Sequence, residues 1–133
     1  MFIMENIILI SKDSAKTIEA NMTINDRGSS IEIIVANDAF CIEASDEYPF
    51  SALAKIRQEL ELKGYYILVN GSRYNVYPSG MQYNTFNAYE LELGKPATKT
   101  VNIFDRINSS KEVTTVKEQE EYFYKWIESL EDN

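Results

Sequence analysis

The densest group of chemically useful side chains lies in residues 70–81, with the sequence Asn-Gly-Ser-Arg-Tyr-Asn-Val-Tyr-Pro-Ser-Gly-Met. Within it, Arg73 offers a planar fork of donors that suits a carboxylate or a phosphate, and Ser79 could complete such a site. Ser79 could act as a nucleophile only with a lysine base such as Lys95 or Lys99. The plainer interpretation is a hairpin followed by a turn with edge tyrosines, and the shortness of the motif favours it.

Two carboxylates offer a different chemistry. Glu90 and Glu92 lie two residues apart, so on a strand they share one face, as the paired acids of a glycoside hydrolase can. They alternate with Tyr89, Leu91 and Leu93, which is the pattern of any antiparallel strand with one face in water. The solvated face is therefore the favoured interpretation of this pair.

The chain contains no histidine. Histidine is the commonest general base near neutral pH and the commonest metal ligand, so Ser-His and Cys-His nucleophile pairs and histidine-containing zinc sites are excluded. Cys41 is the one cysteine and cannot form an internal disulfide, which is typical of a reducing compartment. We therefore expect no catalytic residue, no metal site and no cofactor, and hence no enzyme.

Acidic residues outnumber basic residues by 21 to 13, which gives a formal net charge of −8. A field of this sign repels nucleic-acid phosphates and anionic lipids, so we expect neither nucleic acid nor membrane as a partner. It favours a basic protein partner, unless the excess acid serves only to keep a cytosolic protein soluble. Residues 1–10 are apolar but lack the basic lead segment and cleavage site of a secretory signal, so the expected location is the cytoplasm.

Tyrosine is the second unusual feature of the composition. Nine tyrosines exceed what a core of this size needs, because a buried phenol requires a hydrogen-bond partner. Tyrosine is enriched in protein interfaces, and an acidic helix face near the C-terminus adds to the signal. On that helix Lys117, Glu121 and Lys125 are spaced for i,i+4 pairing, which would balance part of its charge. The residues predicted to contact a protein partner are Arg73, Tyr77, Ser79, Tyr83, Glu118, Glu121 and Tyr124.

The elements that position these residues are mostly strands. Residues 7–10 form a continuous apolar run, which predicts a strand covered on both faces. Residues 17–24 alternate between apolar and polar, as a half-buried strand does. The Asn-Asp pair at 37–38 predicts a two-residue hairpin turn that places Val35 opposite Phe40.

The strongest turn signal in the sequence is the pair Asn70-Gly71. This pair is preferred in type I′ turns, because glycine takes a positive φ without strain. It predicts a second hairpin, which joins a strand over residues 65–69 to a strand over residues 72–77.

Two helices complete the pattern. Pro49 suits the first turn of a helix and Gly64 suits its end, and the charged residues between them, Arg57 included, are expected on the solvent side. A capping box that starts at Thr115 predicts a second helix. The inner stripe predicted for it is Val116, Phe123, Ile127 and Leu130. The predicted fold is α+β, a mainly antiparallel sheet of about six to seven strands with one central and one C-terminal helix, in a single domain over residues 1–133.

From residue 60 to the end, the sequence resembles a family of small bacterial proteins of unassigned activity. The segments that carry the resemblance are Asn70-Gly71-Ser72-Arg73, Tyr77-Pro78-Ser79-Gly80-Met81, Ala88-Tyr89, Leu93-Gly94-Lys95, Val101-Asn102-Ile103-Phe104-Asp105 and residues 124–130. Gene products of this kind include the immunity proteins of bacterial toxin systems, so the resemblance implies a stand-alone protein that neutralises a toxin. The chain departs from the pattern at Tyr74 and Asn75, where more charge is expected, and this weakens the case for ligand binding by Arg73.

Three functions stay open on the sequence. The favoured one is a non-catalytic protein-binding module of the immunity or inhibitor type, which masks a basic toxin or nuclease. The second is a small ligand-binding domain or enzyme centred on Arg73, Tyr77 and Ser79, which requires those side chains to converge in one concave pocket. The third is a structural subunit that associates with copies of itself through an exposed sheet edge or a face rich in tyrosine.

Overall fold

Two antiparallel sheets, each packed against one helix, make up the computed structural model, which describes residues 2–131. The strands are β1 (Phe2–Ser11), β2 (Thr17–Asp26), β3 (Ile31–Ala36), β4 (Cys41–Asp46), β5 (Tyr65–Ile67), β6 (Val76–Tyr77), β7 (Asn87–Glu92) and β8 (Lys95–Asn102). The helices are α1 (Pro49–Leu62) and α2 (Val116–Glu131). The larger sheet has the strand order β4-β3-β2-β1-β5, and the smaller one has the order β6-β7-β8.

The larger sheet packs one face against α1. The almost completely buried residues of β1, β2 and β3 alternate along each strand, as residues on one face of a sheet do. They are Ile7, Leu9, Ala20, Met22, Ile24, Ile31, Ile33 and Val35. The residues of α1 that meet them are Phe50, Leu53, Ile56 and Leu60, which are spaced to share one face of the helix. On β1, Ile7 and Leu9 are buried, whereas Ile8 and Ile10 on the other face are half-buried. The first strand is therefore not fully covered on both faces, contrary to the prediction.

The hairpin between β3 and β4 is present, but its pairing differs from the prediction by two residues. Val35 lies opposite Ile42, and a four-residue loop over residues 37–40 joins the strands. The side-chain oxygen of Asn37 accepts the backbone N–H groups of Ala39 and Phe40, which stabilises the longer loop. Because a shift of two residues keeps each side chain on its face, the apolar face of the hairpin is still the predicted one.

The predicted hairpin at Asn70-Gly71 is wrong. The strands on either side of this pair belong to different sheets, since β5 pairs with β1 and β6 pairs with β7. The pair itself lies in a 3₁₀ turn over Asn70–Ser72. Gly71 does not have a positive φ, but a Cβ there would lie 2.5 Å from Leu53 Cδ2 and 3.1 Å from the backbone oxygen of Ile103. Glycine is needed at this position because other chain segments approach it closely.

Helix α2 packs against the smaller sheet. Its start matches the predicted capping box in part: the hydroxyl of Thr115 accepts the backbone N–H of Glu118, and the Glu118 carboxylate accepts the hydroxyls of Thr114 and Thr115. The predicted inner stripe is only half-buried, and the one fully buried residue of α2 is Gln119. No helix within residues 2–131 is long and apolar enough to span a membrane.

The prediction of an α+β fold dominated by antiparallel strands is confirmed. The strand count is eight, close to the predicted six to seven, and the strands divide into two sheets. The central helix and the C-terminal helix are both present. That residues 1–133 form one domain stays a prediction.

Candidate functional site

A buried polar network positions the smaller sheet and α2. The guanidinium of Arg57 on α1 donates to the Gln119 side-chain oxygen at 2.6 Å and to the backbone oxygens of Gly71 and Thr114 at 3.0 and 2.9 Å. The Gln119 amide nitrogen donates in turn to the backbone oxygens of Gly71, Arg73 and Val76, at 2.8 to 2.9 Å. The side chain of one glutamine therefore fixes the turn, the start of β6 and the first part of α2 relative to each other.

The sequence did not reveal this network. Arg57 was predicted on the solvent side, but only 3% of it is exposed. Burial lowers the pKa of its guanidinium to about 10, which still leaves it charged at neutral pH. The neutral oxygens that accept from its two terminal nitrogens stabilise the buried cation, and the charge of Glu61 on the same helix opposes part of the fall in its pKa. The position of Arg57 two-thirds of the way along an amphipathic helix gave no signal of this role.

Tyr77, which directly follows Val76 on β6, is the centre of an aromatic cluster. Its ring stacks on Phe123 of α2 with centroids 4.1 Å apart, and it meets Phe50 of α1 edge-on at 5.1 Å. Tyr83 packs edge-on against Tyr48, with ring centroids 5.4 Å apart. The contacts with Phe50 and Phe123 fix the Tyr77 ring between the two helices.

Three of the predicted contact residues come together beside this cluster. We call Tyr77, Tyr83, Glu120 and Tyr124 the tyrosine face. Burial raises the pKa of the Tyr77 phenol above its ordinary value, and the neighbouring Tyr83, Glu120 and Tyr124 add to the shift. The Tyr77 phenol is therefore neutral at physiological pH and serves as a hydrogen-bonding group.

A polar cavity of about 240 Å³ opens on the tyrosine face. Its acidic lining residues are Glu120 and Asp46, and its basic one is Lys55, whose ammonium lies 3.0 Å from the Asp46 carboxylate. Because Lys55 and Asp46 neutralise each other, Glu120 supplies the net charge of this cavity. The cavity therefore suits a cationic side chain.

The outer face of α2 continues this negative charge. Tyr124 is 56% exposed, and helical spacing places Glu120, Glu121 and Glu128 one turn away from it. None of the ion pairs between residues 2–131 includes these three glutamates, so the predicted balancing of Glu121 by nearby lysines is not seen. The exposed Tyr124 phenol therefore has three carboxylates one helical turn away, none of which makes an ion pair among residues 2–131.

Arg73 lies outside the tyrosine face and is occupied by its own chain. Its guanidinium donates to Glu90 at 2.8 Å, to Glu112 at 3.0 Å and to the side-chain oxygen of Asn70 at 3.1 Å. Lys99 lies 3.3 Å from the other oxygen of Glu90. Burial alone would raise the pKa of Glu90, but the hydrogen bonds and charges of Arg73 and Lys99 outweigh it and keep that pKa below 4.5. Arg73 therefore joins chain segments and has few donors left for a ligand.

Ser79 caps a turn. Its hydroxyl accepts the backbone N–H of Gln82 at 3.3 Å, and its own N–H donates to the Gln82 side chain at 2.9 Å. Ser79 and Tyr77 line a common apolar cavity, and Arg73 does not line it. The three residues of the ligand-binding hypothesis thus do not converge in one pocket. Of the paired-acid candidates, Glu92 lies 3.1 Å from Lys95, so each glutamate has a cationic neighbour.

Glu118 and Glu121 line a separate cleft of about 350 Å³ on the other side of α2. Lys111 and Lys125 line the same cleft, so its charge is mixed. One wall is a pair of edge-on rings, Tyr74 and Tyr122, with centroids 4.8 Å apart. The seven predicted contact residues therefore divide between four places: the tyrosine face, the ion pairs of Arg73, the turn at Ser79 and this cleft. Of these, the tyrosine face combines an exposed phenol with negative charge that no lysine in its polar cavity balances.

Comparison of the chain with the known protein families and with curated protein sequences finds no match. Within residues 2–131, no group of three or more acidic or cysteine side chains is arranged to bind a metal ion. Cys41 is exposed at the start of the edge strand β4.

Proposed function

We propose that this chain is a non-catalytic protein-binding module of the immunity or inhibitor type, which acts in the cytoplasm on a basic partner such as a bacterial toxin. The observation that carries the proposal is the surface around Tyr124, where an exposed phenol lies among Glu120, Glu121 and Glu128. These carboxylates have no cationic partner among the described ion pairs.

The two kinds of side chain in this surface have different tasks in binding. Uncompensated carboxylates attract a basic protein over a distance and raise its association rate, an effect that salt screens. Phenols bury a large area at low cost in conformational entropy and keep a polar tip, which is why tyrosine is frequent among residues that dominate binding energy. The net charge of −8 acts in the same direction as the local surface.

The ligand-binding alternative has less support in the geometry. Arg73, the residue that would bind the ligand, already donates hydrogen bonds to Glu90, Glu112 and Asn70. Ser79, the proposed nucleophile, accepts a backbone hydrogen bond within a turn. Binding of an anionic ligand by Arg73 would first have to break two ion pairs. The protein-binding proposal needs no such rearrangement.

Two charge-reversal variants test the proposal. Glu120→Lys/Glu121→Lys/Glu128→Lys changes the surface around Tyr124, and Glu5→Lys/Glu19→Lys/Glu43→Lys changes three exposed glutamates on the larger sheet. Both raise the net charge by the same amount, so only position differs. The wild-type chain serves as bait for affinity capture from a lysate of the source cells, and the captured protein is then used in surface kinetics.

We expect the association rate of the wild type to fall at least tenfold between about 50 and 500 mM salt. The α2 variant should associate on the order of tenfold more slowly at low salt, and the sheet variant should stay within about threefold of the wild type. Equal effects of the two variants, or an association rate that salt does not change, would contradict the proposal. So would capture of nothing specific by the wild type.

A further inference from the structure

An apolar cavity of about 250 Å³ lies between α2 and the smaller sheet. Its walls come from the end of β6 and the residues after it, from β7 and β8, and from the later turns of α2. The lining residues are Tyr77, Pro78, Ser79, Tyr89, Leu91, Pro96, Ala97, Phe123, Trp126 and Leu130. Apart from one serine hydroxyl, two phenols and the indole N–H of Trp126, the side chains of this lining present carbon surface.

The cavity has stiff walls. The Trp126 indole N–H donates to the backbone oxygen of Lys95 at 2.9 Å, and the Tyr77 ring is stacked on Phe123. Two prolines in the lining restrict the backbone further. A site whose walls are already ordered loses little entropy when it binds, so an occupant gains most of the free energy of its own burial.

Tyr77 is the residue shared by this cavity and the polar cavity of the tyrosine face. The cavity of about 250 Å³ beside Tyr77 is apolar, and the polar cavity that Tyr77 also lines includes Glu120. An occupant that uses both cavities therefore needs an apolar group and a cationic group close together. Neighbouring side chains of a protein segment meet this requirement, whereas a lone apolar molecule uses only one of the two cavities.

Size also favours a side chain over a small organic ligand. Sites that enclose such ligands typically have volumes of about 300–1,000 Å³, and this cavity is smaller. Burial of a large apolar side chain strengthens binding on the order of ten- to a hundredfold, which is the scale of a residue that dominates an interface.

We propose that the apolar cavity receives one large apolar side chain of the basic partner, while an arginine or lysine near it in the partner's sequence enters the polar cavity beside Glu120. This inference rests on the proposed function and adds the recognition signature to it. The two cavities on either side of Tyr77 select a protein segment with an apolar anchor next to positive charge.

Peptides selected from a random twelve-residue library displayed on phage are suitable probes. The wild-type chain should enrich peptides with a large aliphatic or aromatic residue close to arginine or lysine. Synthetic versions can be titrated by fluorescence, because Trp126 is the one tryptophan of the chain and lines the cavity. Ala97→Leu fills the cavity, and Ala39→Leu is the matched control in an exposed loop. Glu120→Lys reverses the net charge of the polar cavity.

Ala97→Leu should weaken binding on the order of tenfold, and Ala39→Leu should not change it. Replacing the peptide's apolar residue with alanine should weaken binding to the wild type on the order of tenfold. The same replacement should weaken binding to Ala97→Leu very little further, because the double-mutant cycle then shows that the two residues interact. Glu120→Lys should weaken binding by a similar factor and remove most of its dependence on salt. The alanine peptide keeps the test valid even if Ala97→Leu does not fold.

The outcomes separate the two proposals. If Glu120→Lys weakens binding but neither Ala97→Leu nor the alanine peptide does, the cavity inference fails and the protein-binding proposal stands. If the apolar substitutions matter but Glu120→Lys and salt do not, the site takes an apolar molecule without charge, and both proposals fail. A library that yields no enriched peptide also contradicts both.

Discussion

Gly71 shows how a residue can be essential for a reason other than the one that its sequence context suggests. Next to Asn70 it predicts a type I′ turn, in which glycine serves for its positive φ. In the structure its backbone lies against Leu53 and Ile103, and its oxygen accepts hydrogen bonds from Arg57 and Gln119. The missing Cβ is what allows these approaches, and no local pattern encodes that.

Gly71→Ala should therefore lower the free energy of unfolding by about 1–3 kcal/mol, the usual cost of overpacking a close contact. The new Cβ would lie 2.5 Å from a Leu53 methyl group, which can move, and 3.1 Å from a backbone oxygen, which cannot move easily. Gly80→Ala is the control, because nothing lies within 4 Å of its Cβ position and its φ is not positive. Urea denaturation should show Gly80→Ala unchanged or slightly stabilised, and equal stability of the two variants would contradict this account.

At the level of elements, the sequence predicts what depends on neighbouring residues. Pro49 marks the start of α1, the Thr115 capping box marks the start of α2, and the loop after Asn37 marks the turn between β3 and β4. By contrast, β5 pairs with β1, more than fifty residues earlier in the chain, and a local turn signal cannot reveal such a partner. The same limit applies to the buried Arg57, whose acceptors lie on segments distant in sequence.

The candidate site shows the same division. Surplus tyrosine and acid pointed to an interface, and the structure brings Tyr77, Tyr83 and Tyr124 together around a glutamate. That glutamate is Glu120, whereas Glu118 and Glu121, the predicted ones, line a different cleft. The composition indicated a surface rich in tyrosine and acid. Which carboxylate lies beside the phenols depends on how β6 packs against α2, and the sequence does not reveal that packing.

The ion pairs around Arg73 connect β7 and β8 to the segment before α2, and they predict a pH dependence. The folded-state pKa of Glu90 lies below 4.5, so its ionised form stabilises the fold above that pH. The stabilisation is lost as the pH falls through the lowered pKa. Glu90→Gln should lower the free energy of unfolding by about 1–2 kcal/mol at pH 7, and the difference from wild type should shrink at pH 3. Glu19→Gln, at an exposed position, is the control in urea titrations at both pH values, and a difference that grows in acid would contradict the assignment.

For the molecule as a whole, we call each sheet with its helix a layer. Polar contacts join the two layers in addition to the apolar core that they share. Helix α1 belongs to the larger sheet and α2 to the smaller one, and Arg57 bonds to Gln119 and Thr114 across the boundary. The Glu61 carboxylate of α1 also accepts the first N–H of α2, from Val116, at 3.0 Å. Because most apolar residues of α2 are only half-buried, these polar bonds are a large part of what attaches it.

Gln119→Leu tests this attachment. It replaces the amide with an apolar side chain of similar size, so Arg57 loses its shortest hydrogen bond and the backbone oxygens of Gly71, Arg73 and Val76 lose the amide donor. Arg57 still donates to Gly71 and Thr114. We expect the free energy of unfolding to fall by about 3 kcal/mol or more, since each unsatisfied buried polar group costs about 1–3 kcal/mol. Gln58→Leu, at an exposed position of α1, should stay within about 0.5 kcal/mol of the wild type.

The same variant reveals whether the layers unfold together. Trp126 fluorescence reports on α2 and the smaller sheet, while far-ultraviolet circular dichroism reports on all helices and strands. In the wild type both signals should share one urea midpoint, as a two-state transition requires. In Gln119→Leu the fluorescence midpoint should fall below the dichroism midpoint, because α2 then separates while the larger sheet and α1 persist. Coincident midpoints in the variant would mean that the continuous apolar core alone couples the two layers, and that the Arg57–Gln119 bond contributes to stability without joining them.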